Sequence, residues 1–240
     1  MWRVESWPAR LGAALQGWVL PWRCLLCGAR GTQGLDLCPA CLAELPRNLA
    51  CCARCALPLP TASACCGRCL RDPPPWQAAW SPFRYAWPLD RLEARFKFGG
   101  DLAAGRTLAR LWAMETPPLS LPQWIVPVPL SRRRLRGRGY NQALELARVL
   151  GRQLGVSCRP DLLRRNRDTA AQTGLDAAGR RRNVRDAFSA RAVRGVGHVA
   201  VLDDVFTTGA TLAACTRALR RAGVARVDVW ALARASAGRS

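Results

Sequence analysis

The sequence predicts an α/β domain with a mainly parallel sheet flanked by helices, preceded by a small cysteine-rich metal module. Two observations carry this prediction. From Trp76 onward, short apolar runs typical of buried strands alternate with segments whose apolar residues recur at helical spacing. Before that point, ten of the 12 cysteines fall between Cys24 and Cys69. Half of the 240 residues are apolar, which is enough to build a packed core.

The alternation of elements can be followed along the chain. Apolar runs predict strands at residues 81–87, 124–128, 199–202 and 227–232. Helical spacing predicts helices at residues 89–98, 102–114, 142–154 and 211–222. The run at 199–202 is apolar without alternation, which is typical of a strand buried on both faces in a parallel sheet.

Composition divides the chain into three parts. We expect an N-terminal helical segment over residues 1–23, a double zinc ribbon over 24–72 and the α/β domain over 76–240. A run of three prolines, residues 73–75, marks the linker. The mildly apolar run at 11–20 is interrupted by Gln16, so an amphipathic helix explains it better than a signal peptide does.

The chain is strongly basic. Its formal net charge is +21, and Lys97 is the only lysine among 37 basic residues. Such a charge favours anionic partners such as phosphates, nucleotides or nucleic acid, and the planar fork of arginine suits phosphate. No stretch approaches the roughly 20 apolar residues of a membrane span. We therefore expect a cytoplasmic protein with no membrane span.

The cysteines form four Cys-X-X-Cys units in two pairs, and ten residues separate the units within each pair. A Cys-X-X-Cys turn presents two thiolates to one metal ion, and two such turns complete a tetrahedral zinc site. The spacing predicts two structural Zn²⁺ ions in consecutive zinc ribbons. The expected ligands are Cys24, Cys27, Cys38, Cys41, Cys52, Cys55, Cys66 and Cys69.

Alternatives to zinc stay open for these cysteines. Disulfides would need a secretory context, and a redox-active pair would account for one unit but not four. Four thiolates also suit iron–sulfur clusters. Cys51 and Cys65 each adjoin an expected ligand, which leaves the ligand register open. Cys158 and Cys215 lie outside the module, and we expect both to be small buried apolar residues.

The segment VAVLDDVFTTGAT, residues 199–211, is the most informative stretch. A buried strand is expected to end in Asp203 and Asp204, and a threonine–glycine loop then leads into a helix. Ligands of open α/β sheets bind at the carboxyl ends of strands, and backbone amides at a helix N-terminus bind phosphate. Gly209 would allow close approach of a phosphate, and the carboxylates would suit ribose hydroxyls or Mg²⁺ through water.

This segment resembles the phosphoribosyl pyrophosphate (PRPP) motif of type I phosphoribosyltransferases. Together with the four Cys-X-X-Cys units, it resembles the ComF family, which includes ComFC and the GntX proteins. Matching segments run along nearly the whole chain: FKFGGD at 96–101, VPVP at 126–129, RGYNQ at 138–142, and residues 172–173, 180–183 and 187–188.

The resemblance implies a type I phosphoribosyltransferase-like fold and a role for each matched segment. Asp203 and Asp204 would be the catalytic residues and would contact the ribose of PRPP bound with Mg²⁺. The loop after Pro129 would face the pyrophosphate, and residues 164–188 would close over the site. On the pyrophosphate side would lie Arg132, Arg136 and Arg138. The implied PRPP-binding residues are Asp203, Asp204, Val205, Thr207, Thr208, Gly209, Ala210 and Thr211.

The implied reaction transfers ribose 5-phosphate from PRPP to an acceptor, in a protein associated with competence, DNA uptake or use of external DNA. No residue identifies the acceptor, and the reaction needs no protein nucleophile. His198, just before a strand, suits a structural role. The alternative is an accessory protein that senses a nucleotide without catalysis or holds single-stranded DNA, with DNA-uptake proteins as partners.

Overall fold

The computed structural model describes residues 22–32, 34–166 and 187–236. By its contacts the chain forms two compact units, residues 1–45 and 46–240. The expected N-terminal helix lies almost wholly outside the described residues. Two segments that match the ComF family, residues 172–173 and 180–183, also lie outside them. The boundaries expected at residues 23, 72 and 76 remain predictions, but the second group of four cysteines belongs to the same unit as the sheet.

The described part of the first unit is built around turns. An antiparallel bridge joins Arg23 to Arg30 across the first Cys-X-X-Cys turn. Helix α1 (Pro39–Ala43) begins at the second turn, where the Sγ of Cys38 accepts a hydrogen bond from the amide of Cys41 at 3.5 Å. Pro39 suits the first helical position because its missing N–H would have had no partner within the helix.

The second unit begins with the other cysteine turns and then alternates strands and helices. Its first half contains α2 (Gly67–Arg71), β1 (Ala79–Trp80), β2 (Phe83–Arg84), α3 (Leu89–Phe98), α4 (Leu102–Met114), β3 (Trp124–Pro127) and α5 (Arg132–Arg138). Its second half contains α6 (Gln142–Leu154), β4 (Ser157–Cys158), β5 (Leu163–Arg165), β6 (Phe188–Ala190), β7 (His198–Phe206), α7 (Ala210–Arg221) and β8 (Arg226–Arg234).

Six of the described strands form one parallel sheet in the order β1-β8-β7-β3-β4, in which β2 also pairs with β8. The expected fold class, a mainly parallel sheet flanked by helices, is therefore confirmed. Three helices begin and end where the sequence predicts them: α3, α4 and α6. The predicted strand at 81–87 is wrong, because β1 and β2 each hold only two residues.

Alternation along the central strands assigns the two faces of the sheet. Val201 and Val229 belong to one buried cluster with the α7 residues Leu212 and Cys215. Trp230 points to the other face, because successive side chains of a strand alternate. There its ring contacts Trp80, which in turn contacts Trp112 of α4, with centroid separations of 5.0 and 5.6 Å. Helices therefore cover both faces.

The segment expected to close over the site is described only at its ends. Residues 164–165 and 188 lie in a two-stranded antiparallel sheet of β5 and β6, so these ends are strands and not loop. Their pairing joins the two ends of the segment, with Arg165 opposite Phe188. Most of this expected mobile loop, residues 167–186, lies outside the described residues.

Candidate functional site

Strand β7 carries the two aspartates past the expected end of the strand. It runs from His198 to Phe206, and its pairing with β8 continues through Asp203 and Val205. The apolar run that predicts this strand ends at residue 202, and pairing with β8 extends the strand to Phe206. The carboxylates thus lie inside the strand, near its carboxyl end.

The two aspartates point to opposite faces of the sheet. Asp203 shares the α7 face with Val201, and Asp204 shares the α3–α4 face, because strand side chains alternate. Each carboxylate accepts a hydrogen bond from the next backbone amide: Asp203 from the amide of Asp204 at 3.0 Å, and Asp204 from that of Val205 at 2.7 Å. The pair therefore offers one carboxylate on each side of the strand.

On its face of the sheet, Asp204 meets an ion-pair cluster that the sequence did not predict. The Nζ of Lys97 lies 3.0 Å from Oδ2 of Asp204 and 3.1 Å from Oε1 of Glu93. Lys97 and Glu93 lie one turn apart on α3, and Glu93 is buried. The hydroxyl of Tyr85 donates to the other carboxylate oxygen of Glu93 at 3.4 Å. One ammonium group therefore compensates two largely buried carboxylates.

This cluster separates the proton affinities of its members. Burial and the neighbouring charge of Asp204 raise the pKa of Glu93 to about 7. Burial and the same charge raise the pKa of Asp203 well above its usual range. Burial also acts on Asp204, but Lys97 and the Val205 amide outweigh it and lower the pKa of that carboxyl. Asp204 is thus the carboxylate that stays ionised, with Lys97 as its counter-ion.

After β7 comes the threonine loop, residues 207–209, which leads directly into α7. Thr207 and Thr208 are exposed, and the Thr208 hydroxyl accepts from the amide of Ala210 at 3.4 Å. Gly209 adopts φ +80°, and a Cβ there would lie 2.7 Å from the ring of Phe206. Both facts require glycine. Exposed hydroxyls and the first backbone amides of a 12-residue helix suit a phosphate group.

A cleft of about 460 Å³ lies beside the Lys97 cluster. It is lined by residues 97–100 after α3, and by Arg134, Gly137 and Arg138 of α5. The expected pyrophosphate-side loop is therefore largely a short helix. Of the three arginines expected there, the cleft includes Arg138, whereas Arg132 and Arg136 are exposed and do not line it. Arg134, which belongs to the same segment after Pro129, also lines the cleft.

The RGYNQ segment holds the walls of this cleft together. The Tyr140 hydroxyl donates to the carbonyl of Phe96, and the two rings stack at 5.2 Å. The Asn141 amide donates to the carbonyl of Val128 at 3.0 Å. Three segments that are distant in sequence, 96–101, 126–129 and 138–142, therefore meet at one place. Hydrogen bonds to the backbone explain why tyrosine and asparagine suit these positions.

Behind the threonine loop lies a buried arginine that the sequence did not reveal. Arg234, at the end of β8, is 1% exposed. Its guanidinium donates to the carbonyls of Phe206 at 2.8 Å, Thr207 at 2.7 Å and Cys55 at 3.0 Å. It also lies 4.3 Å from the centroid of the Phe206 ring. A buried cation of this kind is tolerated because carbonyl oxygens satisfy its donors.

The eight expected cysteine ligands form two clusters, one in each unit, in which all four sulfurs lie within 4.8 Å of one another. Neighbouring sulfurs are 3.6 Å apart between Cys27 and Cys38, and 3.8 Å apart between Cys55 and Cys66. A tetrahedral ion with Zn–S bonds of about 2.3 Å needs sulfurs roughly 3.8 Å apart. Each cluster therefore fits one zinc ion and leaves no room for a multi-iron cluster.

The geometry also resolves the ligand register. Cys52 and Cys66 turn into the second cluster, whereas Cys51 and Cys65 do not belong to it. Despite opposing burial, backbone hydrogen bonds help to lower the pKa of Cys24 to about 6 and that of Cys66 to about 7. Each cluster thus holds a thiol that is readily ionised for metal binding. No disulfide occurs among the described cysteines.

The remaining ionisable groups of the sheet have structural roles. His198 lies 2.8 Å from Asp228, which also pairs with Arg226 at 2.9 Å, at the end of the sheet opposite the threonine loop. Cys215 is buried against the sheet.

In the part of the chain that the structure describes, no helix is long and apolar enough to cross a membrane.

One sequence signal could have revealed the Lys97 cluster. In a chain whose other 36 basic residues are arginine, the single lysine is the one basic residue that composition sets apart, and its compact ammonium differs from a guanidinium. Arg234 has no such signal, because nothing in an arginine-rich sequence distinguishes a buried arginine from an exposed one.

Comparison with known proteins supports the metal module first. The family model of the double zinc ribbon domain matches residues 15–70. It covers all eight clustered cysteines, so the expected double zinc ribbon is confirmed. A chain of glutamine PRPP amidotransferase from B. subtilis, complexed with ADP and GMP, is 25% identical with a TM-score of 0.35. The match covers 52% of this chain and 25% of that one, and a superposition so partial does not establish a common fold.

Two relatives match over most of their own length. Competence protein F of Haemophilus influenzae is 40% identical over 175 residues, which are 69% of this chain and 76% of the relative. The DNA utilization protein YhgH of Salmonella typhimurium is 38% identical over 235 residues, which are 95% of this chain and 96% of the relative. The chain therefore belongs to the ComF family, the family of Competence protein F and the DNA utilization protein YhgH.

Proposed function

We propose that this protein binds PRPP with Mg²⁺ at the carboxyl end of β7 and transfers ribose 5-phosphate to an acceptor. One observation carries the proposal. Two carboxylates near the end of a parallel strand are followed at once by exposed threonines, a left-handed glycine and the start of a helix. This order supplies hydrogen-bond acceptors for ribose hydroxyls and amide donors for a 5′-phosphate at the same end of one strand.

Each group has a role in this proposal. The threonine loop and the amides of Ala210 and Thr211 would hold the 5′-phosphate, with Val205 placing the loop. Asp204, kept ionised by Lys97, would accept hydrogen bonds from the ribose. Asp203 would act from the other face of the strand. In the adjoining cleft, Arg134, Arg138 and Lys97 would face the pyrophosphate, while Arg132 and Arg136 would contribute charge from further out.

The proposed reaction breaks the bond between C1 of the ribose and the pyrophosphate oxygen, and the electron pair leaves with pyrophosphate. The acceptor supplies the electron pair of the new bond to C1 and loses a proton. Carboxylates near the ribose would stabilise the positive charge that develops there, and the arginines would stabilise the leaving group. Positioning and electrostatics would supply the rate, so no side-chain nucleophile is required.

Magnesium would enter with PRPP. Carboxylate oxygens are the ligands that Mg²⁺ prefers, and it keeps several waters when bound by one or two carboxylates. Asp204 is the ionised carboxylate that fits that type of site, although Lys97 already occupies one side of it, whereas the carboxyl of Asp203 lies on the opposite face of the strand. The ion would neutralise charge on the pyrophosphate. We further propose a cytoplasmic location, where thiols remain reduced and available to zinc.

The decisive experiment is calorimetric titration of the zinc-loaded protein with PRPP and Mg²⁺. The parent should bind, and Asp204→Asn should lower the affinity by at least about tenfold, because the carboxamide replaces the ionised carboxylate that would accept hydrogen bonds from the ribose. Asp161→Asn is the matched control. Asp161 pairs with Arg159 and Arg191 outside the site, so its variant should bind like the parent.

Absence of PRPP binding by a folded, zinc-loaded parent would exclude the transferase. Binding without release of pyrophosphate, over a panel of bases and amines, would instead favour a nucleotide sensor. In that case the same site would bind a ribose phosphate without reaction.

A second candidate function, binding of single-stranded DNA, is favoured by the surface of α5. The helix contains five arginines and no acidic residue, and all but Arg138 are exposed. Beside it, Phe98 is 77% exposed, with the Arg138 guanidinium 5.7 Å from its ring centroid. Arginines that bind phosphates next to an aromatic ring that stacks on bases are typical of single-strand binding. The names of the relatives, a competence protein and a DNA utilization protein, agree with such a role, in which DNA-uptake proteins would be partners.

This candidate predicts a strong salt dependence. Affinity for a single-stranded oligonucleotide should fall steeply between 50 and 200 mM salt, and replacing Arg132, Arg133 and Arg136 together by Gln should reduce the slope of log K against log salt by about 2. The matched control is the triple replacement of Arg106, Arg110 and Arg152 by Gln in α4 and α6. Fluorescence anisotropy measures both, and an equal loss of slope in the control would contradict a specific role of α5.

A further inference from the structure

The second zinc ribbon, residues 52–69, belongs to the core of the sheet unit. Its four ligands Cys52, Cys55, Cys66 and Cys69 are buried in the same apolar cluster as Phe206 of β7 and Leu212 of α7. The ribbon therefore has no independent core, and its metal-bound conformation is part of the packing beneath the threonine loop.

Three contacts run from this ribbon to the threonine loop. The strongest is Arg234, which joins the carbonyl of Cys55 to those of Phe206 and Thr207 through hydrogen bonds of 2.7 to 3.0 Å. The other two are Trp76 and Arg68.

Trp76 provides a second, independent connection. Its indole N–H donates to the carbonyl of Arg54, between two zinc ligands, at 2.6 Å. Its ring meets that of Phe206 edge-on at 5.6 Å, and it lies 3.0 Å from where a Cβ on Gly209 would be. A weaker connection, at 3.5 Å, runs from the Arg68 guanidinium to the carbonyl of Thr208. Each residue of the threonine loop is thus supported from the ribbon side.

Arg234 is suited to such a role by its geometry. A guanidinium is a rigid fork, so the positions of three carbonyls are fixed relative to one another when all three accept from it. Cys55 supplies both a thiolate to the metal and a carbonyl to Arg234. Movement of this turn after metal loss would therefore reach the loop directly.

We propose that Arg234 is a positioning residue through which the zinc-bound second ribbon sets the backbone geometry of the threonine loop. Zinc at this site would then control the affinity for the phosphate of PRPP without touching it. The effect on affinity rests on the proposed function, whereas the effect on the loop does not.

Hydrogen exchange of the full-length, zinc-loaded protein tests the effect on the loop without any ligand. Arg234→Lys keeps the charge but loses the fork. Exchange of three amides that donate to residues 206–209 should rise at least about fivefold, while metal analysis still finds zinc. They are the amides of Ala210, Ala213 and Ala235, which donate to the Thr208 hydroxyl and to the carbonyls of Gly209 and Phe206. Cys69→Ser should produce the same rise together with loss of one zinc. Arg226→Lys, the same change at the other end of β8, should leave exchange in the loop unchanged. Unchanged exchange in both Arg234→Lys and Cys69→Ser would overturn the proposal.

Two measurements separate this proposal from the proposed function. If the parent binds PRPP with Mg²⁺, Arg234→Lys should lower the affinity about tenfold and Arg226→Lys should not. If the parent does not bind PRPP, the proposed transferase function is excluded. The hydrogen-exchange result still decides whether Arg234 positions the threonine loop. Should Arg234→Lys not fold, the parent alone gives the answer by reciprocity. In a parent that binds PRPP, PRPP with Mg²⁺ should raise the equilibrium affinity for one zinc ion, measured by competition with a chromogenic chelator, and an unchanged affinity would reject the proposal.

Discussion

Replacing Lys97 by Met is expected to destabilise the protein by about 3–5 kcal/mol, the usual cost of removing one partner of a buried ion pair. Lys97 is the counter-ion of both Asp204 and Glu93, at 3.0 and 3.1 Å. Without it, two carboxylates share a largely buried site, and one or both must take up a proton. Urea unfolding at pH 8 measures the loss. Arg91→Met, an exposed position on the same helix, is the matched control and should cost less than about 0.5 kcal/mol.

The effect of Lys97→Met should depend on pH in a defined direction. The folded pKa of Glu93, about 7, exceeds its usual 4.5, so the native state holds this proton more tightly than the unfolded chain. Stability from this group is therefore present at low pH and is lost as the pH rises from about 4.5 through about 7. Removing Lys97 should enlarge that loss, so the variant should be weakest above pH 7 and approach the parent near pH 4.

A second substitution tests the same electrostatic cause. Adding Glu93→Gln to the Lys97→Met variant removes one of the two unpaired charges and should recover part of the lost stability. A destabilisation that is independent of pH, or that Glu93→Gln does not relieve, would mean that Lys97 acts through packing of its aliphatic chain alone.

Removal of zinc is expected to have the second large effect. Metal binding contributes about 10–16 kcal/mol at a structural zinc site, and the described part of the first unit has little apolar core to replace it. In the first unit, a chelator should make residues 24–41 sensitive to protease. In the second, it should lower the melting temperature of the sheet, because Cys52, Cys55, Cys66 and Cys69 lie in its buried cluster.

Native mass spectrometry and limited proteolysis check both effects. The parent should carry two zinc ions per chain, and added zinc should restore resistance to protease. If the protein loses both ions and keeps its protease resistance and melting temperature, the bound metals do not contribute to folding. The structural role of the zinc sites would then be excluded. Iron in the purified protein would contradict the choice of zinc.

Much of the site could be predicted from local sequence. Metal ligands three positions apart and an acidic pair followed by threonines and glycine are short-range patterns, so each can be seen without knowing the fold. The RGYNQ and FKFGGD segments could also be found, but not their contact through Tyr140 and Phe96. Strand ends were harder, because β7 continues through Asp203 by pairing with β8, and pairing between distant segments overrides the local preference of aspartate.

The sequence by itself determined the fold class, the family, the zinc ribbons and the segment that bears the aspartates. The fold class and the zinc ribbons follow from periodicity and spacing, and the family follows from the resemblance of its motifs; all of these are properties of neighbouring residues. Only the tertiary structure decided that Lys97 and Glu93 compensate Asp204, that Arg138 and Arg134 share a cleft with Lys97, and that Arg234 joins a zinc ligand to the threonine loop. Those contacts join residues up to 179 positions apart, and whether a charge is buried or exposed depends on which surfaces the folded chain brings together.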